Sequence, residues 1–246
     1  MLNTIILAGS QSNDNWSGLN NKGLIPINGK IIIEYVIDAL RKSNDIGKIV
    51  VVGPKKDLEL PLKDKVDSIV DSNGSIVENL VKGIKHLHED SYVLVCTSDI
   101  PLVTPEAIED FVNKSKTSGA DVCYPIVEKK VNILKYPEIE RTYVRMKEGT
   151  FTGGNMFYVN PGIVEPALSF IEKLVNYRKD PVKMAKVFGV GFVFQLITGI
   201  LTISRVEKKV SDLLGIKAKC IITEHPEIGN DIDKPSDVIA ITAHLS

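Results

Sequence analysis

Short apolar, β-branched runs alternate with amphipathic stretches over the first 127 positions. The runs Thr4–Ala8, Ile49–Gly53, Tyr92–Cys96 and Ala120–Val127 are bounded by Gly, Pro or polar clusters. Such runs predict parallel strands buried on both faces. Between them the apolar residues recur at helical spacing. Ile33, Val36, Ile37 and Leu40 mark a helix over Ile31–Lys42, and Val77, Leu80, Val81 and Ile84 another over Ile76–Leu87. Thr104-Pro105-Glu106 sets an N-cap before a proline at the first helical position, which predicts a third helix to about Ser115. The rhythm implies an α/β fold, a mostly parallel mixed sheet sandwiched by helices.

The second half breaks this rhythm. Thr142–Lys147 and Asn155–Val159 read as strands separated by Gly149, Gly153 and Gly154. Pro161–Leu214 reads as mostly helical, with breaks near Asp180-Pro181 and at Gly189, Gly191, Gly199 and Ser204. Lys217–Thr223 returns to a strand, and Pro235–Ala243 forms a closing helix. With no repeat, low-complexity tract or linker in view, residues 1–246 are expected to form one domain carrying a helical insertion over 161–215.

Composition narrows the function classes. Hydrophobic residues make up 43% and charged residues 25% of the 246, which excludes a disordered or fibrous chain. Thirty basic residues against 31 acidic ones leave a formal net charge of −1, so nothing electrostatic points to nucleic acid as a partner. Cys96, Cys123 and Cys220 are odd in number and far apart. They make no C-x-x-C site or disulfide framework, and thiols buried in strands of a cytoplasmic protein are expected. Met1–Leu7 lacks a charged leader and cleavage site and reads as a strand, not a signal peptide. His86 and His88, two apart on a helix, do not share a face and make no metal pair. No nucleophile–histidine set supports a hydrolase.

Candidate chemistry gathers at strand ends. The first strand ends in Leu7-Ala8-Gly9-Ser10, where a glycine is either a simple turn or lets the backbone approach a ligand at the carboxyl edge of the sheet. No Gly-Lys-Ser/Thr follows, and the glycine spacing is not that of a dinucleotide fingerprint. The third strand ends in Thr97-Ser98-Asp99-Ile100-Pro101. Asp99 there either caps a turn or offers oxygen to a hard divalent cation.

Leu7-Ala8-Gly9, then Lys22-Gly23-Leu24-Ile25-Pro26 and Gly29-Lys30 leading into a helix, resembles the opening of MobA-like nucleotidyltransferases. These are GT-A-type enzymes that transfer a nucleotidyl group from an NTP. Asp99-Ile100-Pro101 is similar to the family's Asp-x-Pro, and Asp231-Ile232-Asp233-Lys234-Pro235-Ser236-Asp237 to its closing Asp-x-Asp-x-Pro-x-Asp. The likeness runs over roughly residues 2–160 and 216–244.

The resemblance implies a Rossmann-like GT-A fold. It also implies Mg²⁺- or Mn²⁺-dependent transfer of an NMP group from an NTP to a phosphorylated or similar anionic small molecule, with pyrophosphate released. On that pattern Leu7, Ala8, Gly9 and Ser10 wrap the triphosphate and Lys22 neutralises it. Asp99 binds the metal, with Asp233 as the preferred second ligand and Asp231 as the other candidate. Gly74, Ser75, Asn79 and Ser98 belong to the nucleotide side, and Gly154 and Asn155 to the acceptor side. Lys22 and Asp99 are the expected catalytic pair. Read as plain sequence, Ser75 is equally an N-cap, Lys22 a solvated lysine and Gly153-Gly154 a hairpin turn. Asp237 is expected to support the first turn of the last helix.

Ser10 stands where the family has a second glycine, and no arginine precedes Arg41. Triphosphate binding then leans on backbone N–H groups, Lys22 and the metal, or on Arg141 or Arg145 reaching in. Two other readings share these motifs: a GT-A glycosyltransferase using a nucleotide sugar, and a non-catalytic nucleotide sensor.

The resemblance leaves Val187–Ile203 unexplained. Its 17 residues carry no charge and include three glycines, which is marginal for a bilayer span. Two short helices are expected, meeting at Gly199 or at the Gly189–Gly191 break. Their expected place is against the insertion, as a homo-oligomer contact or a wall of the acceptor pocket, in preference to membrane contact.

Overall fold

A computed structural model describes residues 1–9, 21–72, 74–88, 91–177 and 181–245. After β1 (Leu2–Leu7) come a small hairpin, β2 (Pro26–Ile27) and β3 (Lys30–Ile31), and then α1 (Ile32–Lys42). β4 (Ile46–Gly53), α2 (Lys55–Leu58), β5 (Ser68–Asp71) and α3 (Ile76–Leu87) follow, and β6 (Val93–Thr97) leads into α4 (Pro105–Ser118). β7 (Val122–Glu128) and α5 (Lys129–Lys135) precede β8 (Val144–Arg145), β9 (Thr150–Gly153) and β10 (Met156–Val159). The chain then runs through α6 (Val164–Tyr177), α7 (Pro181–Phe188), α8 (Val190–Thr198) and α9 (Ile203–Leu214) to β11 (Ala218–Thr223) and α10 (Pro235–Thr242).

The expected mixed α/β sheet is present, and its two halves differ in direction. β5, β4, β1 and β6 lie side by side in parallel. β10 then pairs antiparallel with both β6 and β7, while β11 runs parallel to β7 on its other side. β9 pairs antiparallel with β7 beyond β10, and β8 with β9. Alternation along the parallel strands sorts the core. Ile6, Val51, Leu94 and Cys96 pack towards α1 and α4, whereas Ile5, Val52, Val93 and Val95 pack on the α3 and α6 side. Continuous apolar runs in the sequence thus correspond to strands covered on both faces. Cys96 and Cys123 are buried as expected and Cys220 partly so. Burial pushes the Cys96 thiol up to about 12.

β2, β3, α2, β5, α5 and β9 were not apparent from the pattern because each is too short to develop a period. Gly191 and Ser204 lie inside α8 and α9 and break neither. The breaks fall instead at Gly189 and Gly199, with φ of +96° and +70°, backbone angles that favour glycine. Pro181 opens α7, and Asp180 lies outside the described residues. α8 stacks Phe192 on Phe188 of α7, with ring centroids 5.0 Å apart. Its other side is open among the described residues: Val190 is 76%, Phe194 62% and Ile197 78% exposed. No helix among the described residues is long and apolar enough to cross a membrane.

Candidate active site

β1 and β6 are parallel neighbours, so their carboxyl ends open at one edge of the sheet, where open α/β folds leave a crevice. Ala8 N–H donates to Val52 O (2.8 Å) and Ser98 N–H to Leu7 O (3.2 Å), which holds both strand exits rigid. Buried Asn21 fastens the far end of the first loop to that edge. Its Nδ2 donates to Ala8 O (2.8 Å) and its Oδ1 accepts from Gly23 N–H (2.9 Å). A 3₁₀ turn at Lys22–Leu24 follows and sets the Lys22 stem.

Lys22 reaches the other end of the chain. Its Nζ donates to Ile232 O (3.1 Å) and pairs with Asp233 Oδ1 at 3.2 Å. Ile232 N–H in turn donates to Asp99 O at 2.9 Å, pinning the Asp231–Asp233 segment beside the β6 exit. Asp237 accepts from the N–H groups of Asp233 and Lys234, both at 2.9 Å, so it supports the first turn of α10. Asp99 Oδ1 is buried and has no hydrogen-bond partner. Burial raises the Asp99 carboxyl above the ordinary range; the Lys22 charge opposes this and the Asp233 carboxylate adds to it.

Asp231 is handled differently. Arg141 forms an ion pair with its Oδ1 and donates from Nη1 to its backbone O at 3.3 Å, and Asn155 Nδ2 donates to Oδ1 at 3.3 Å. Burial lifts the Asp231 carboxyl to about 6, with Arg141 pulling it down and the Asp99 and Asp233 charges pushing it up. Three carboxylates therefore sense one another at the carboxyl edge of the sheet.

The residues fit a hard divalent cation that arrives with a polyphosphate. No three His, Cys, Asp or Glu side chains form a ready cage among the described residues. Mg²⁺ does not need one, because it is commonly held by one or two carboxylates, substrate phosphates and waters. Asp99, with its orphaned oxygen, and Asp233, with 65% of its side chain exposed, supply that donor set.

A family model described as the MobA-like NTP transferase domain matches residues 4–173. The chain belongs to the MobA-like NTP transferase family. A hypothetical transferase from Thermus thermophilus is 32% identical and superposes with a TM-score of 0.87, over 96% of this chain and 99% of its own. CMP:2-keto-3-deoxy-manno-octonic acid synthetase complexed with CTP shares the fold at 13% identity, with a TM-score of 0.62 over 99% of this chain and 97% of its own. Among curated relatives, 2-C-methyl-D-erythritol 4-phosphate cytidylyltransferase of Clostridium kluyveri is 30% identical over 46% of this chain and 52% of its own length. A probable molybdenum cofactor guanylyltransferase of Thermococcus gammatolerans is 30% identical over 43% and 53%. The chain thus spans about half the length of the curated relatives it matches.

In this MobA-like chain Gly9 lies under Asn79, whose Nδ2 sits 3.1 Å from where a Cβ on Gly9 would be. Asn79 is buried with Oδ1 unpartnered, a free acceptor beside the β1 exit. Ser98 is close by, its Oγ 3.3 Å from the corresponding position on Gly23. Ser10 lies outside the described residues. Gly74 sits beneath the Glu78 carboxyl, which reaches back to accept from Ser75 N–H (2.5 Å) while Ser75 Oγ accepts from Glu78 N–H (3.2 Å). Ser75 is thus engaged as an N-cap. Ser75→Ala is expected to cost about 1 kcal/mol of stability and leave NTP affinity unchanged; urea unfolding alongside nucleotide titration checks both.

Gly154, expected from the resemblance to face an acceptor, is wedged between Pro125 and Ile228 and donates to Pro125 O (2.9 Å). Asn155 spends its amide donors on Asp231 and on Ile228 O. Of the two arginines considered for the phosphates, Arg141 is turned to Asp231, and Arg145 lies along Gly199 at the end of α8. Sequence reasoning missed the organising role of Asn21 and the pairing of Arg141 with Asp231. An Asn directly before Lys22-Gly23, a residue type that caps turns through its side chain, was a usable signal for the first.

Proposed function

We propose that this protein is a nucleotidyltransferase that moves an NMP group from an NTP to a phosphorylated or similarly anionic small molecule, using Mg²⁺ or Mn²⁺. The observation that carries this reading is the meeting of Lys22, Asp99 and Asp233 at the joint carboxyl edge of β1 and β6, with Lys22 and Asp233 211 positions apart in the chain. Cytidylyl and guanylyl transfer by the curated relatives supports it.

An acceptor oxygen attacks the α-phosphorus, the bond from that phosphorus to the α–β bridging oxygen breaks, and pyrophosphate leaves with the electron pair. An ionised acceptor oxygen carries no proton, so no general base is required. Alignment and charge neutralisation carry the rate. Asp99 and Asp233 would hold the cation, which neutralises the triphosphate when bound. Lys22 would exchange Asp233 for phosphate oxygens, and Asn79 Oδ1 would accept from the base or ribose. Unpaired thiols buried in strands suit a reducing compartment such as the cytoplasm.

A thermal-shift series with the four NTPs, each with and without Mg²⁺, tests the reading. One NTP should raise the unfolding midpoint, and only with the metal, because a ligand of the folded state stabilises it by mass action. No shift with any NTP, or a shift with nucleotide sugars instead, overturns it. Lys22→Ala should weaken NTP binding about 10- to 150-fold, the worth of a charge-assisted contact, and weaken binding of the matching NMP far less. Equal losses for both nucleotides would place Lys22 away from the distal phosphates.

A further inference from the structure

The uncharged stretch around α8 belongs to none of the chemistry above, and its outer face is open. Val190, Phe194 and Ile197 follow one another at spacings of four and three, so they share one side of the helix. Ile200 continues the patch past the Gly199 turn at 56% exposure. A contiguous apolar surface of this kind marks an interaction site. We infer that it docks on an anionic lipid bilayer, with α8 lying in the interface plane.

Charge selects this occupant. From Pro181 to Val206 the chain contains Lys183, Lys186 and Arg205 and no Asp or Glu. Lys186 and Arg205 are exposed, as are Arg145 and Lys147 on and just after the neighbouring β8. Of the acids at the border, Glu207 is paired with Lys219 Nζ (2.7 Å) and accepts from Cys220 N–H (3.0 Å), which leaves Glu148, accepting from Ile203 N–H (3.1 Å), as one negative charge against the basic residues. Exposed apolar side chains on a helix whose flanking segments and neighbouring β8 carry an excess of positive charge match the acyl boundary and headgroups of an anionic leaflet. A second copy is a poorer match, because an isologous contact would set the same positive charges against themselves. At nine residues α8 is about 13 Å long, less than half the hydrocarbon core, so it lies on the bilayer and does not cross it. The sequence favoured an oligomer contact or a wall of the acceptor pocket over membrane contact; the charge around the open face favours the bilayer. β8 pairs with β9, which ends at Gly153, so docking sets the acceptor side of the crevice on the strand next to the lipid-facing edge.

Co-sedimentation of the full chain with vesicles of phosphatidylglycerol mixed with phosphatidylcholine tests this without any nucleotide, independently of the proposed reaction. The wild type should pellet with the anionic vesicles, pellet less at high salt, and stay in solution with phosphatidylcholine alone. Phe194→Asp with Ile197→Asp should cut the bound fraction about tenfold or more. Lys186→Glu with Arg205→Glu, which leaves the apolar face untouched, should cut binding to the anionic vesicles and guards against misfolding of the first variant. Failure of the wild type to pellet, or undiminished binding by both variants, overturns the inference. So does a dimer by light scattering that the Phe194→Asp change dissociates, which would assign the face to a second copy.

Discussion

Asp99→Asn is expected to remove nucleotidyl transfer while leaving the fold intact. The substitution keeps the shape of the side chain but takes away the negative charge that a divalent cation needs, and Asp233 alone cannot replace it. Loss of one preorganised electrostatic group in such a site costs about 10²- to 10³-fold in rate. Stability should move the other way. Asp99 Oδ1 is buried without a partner, and burial already raises its carboxyl. A group raised in the folded state loses stability for the protein as pH climbs through its folded value. Asparagine has no such slope, so the metal-free variant should unfold at an equal or higher urea concentration at neutral pH. Near-native turnover at saturating Mg²⁺ would defeat the assignment of Asp99.

Arg141→Met should be the most destabilising single change in the site. Arg141 and Asp231 expose only 14% and 11% of their side chains. Removing one partner of such a pair strands the other charge, at a cost of about 3–5 kcal/mol. The pH dependence identifies the cause. The Asp231 carboxyl sits at about 6 in the folded protein against 3.8 ordinarily, so the native state binds more protons than the unfolded one between those values. Stability therefore falls as pH rises across that window. Without Arg141 the folded value rises further and the fall continues to higher pH. The deficit of the variant should be largest at neutral and alkaline pH and shrink under acid conditions. Urea titrations at the two extremes measure it, and adding Asp231→Asn should recover most of the loss. A deficit independent of pH would mean that packing, and not the stranded carboxylate, dominates.

Some of this site was legible in the sequence because its signals are local. A strand that must be buried on both faces writes itself as an unbroken apolar run, and its end as a change to glycine or polar residues. Leu7-Ala8-Gly9 and Ser98-Asp99 could therefore be placed at strand exits, and Lys22 placed near them by its spacing in the MobA-like pattern. Asp237 followed from its place in the first turn of α10. Gly189 and Gly199 bound α8 for a reason that is equally local, their positive φ.

The remainder depended on which surfaces meet. Asp231 and Asp233 differ by two positions, yet one is buried against Arg141 and Asn155 while the other faces Lys22. Period-two alternation would place positions two apart on one face; the path of the segment, pinned by the Ile232–Asp99 backbone bond, turns them to different partners. The antiparallel placement of β10 between β6 and β7 rests on long-range pairing that no local period encodes. α8 shows the same limit most plainly. An apolar run records that its residues are poor partners for water, but only the packed chain shows that α7 and β8 cover one side and that the other is left open among the described residues.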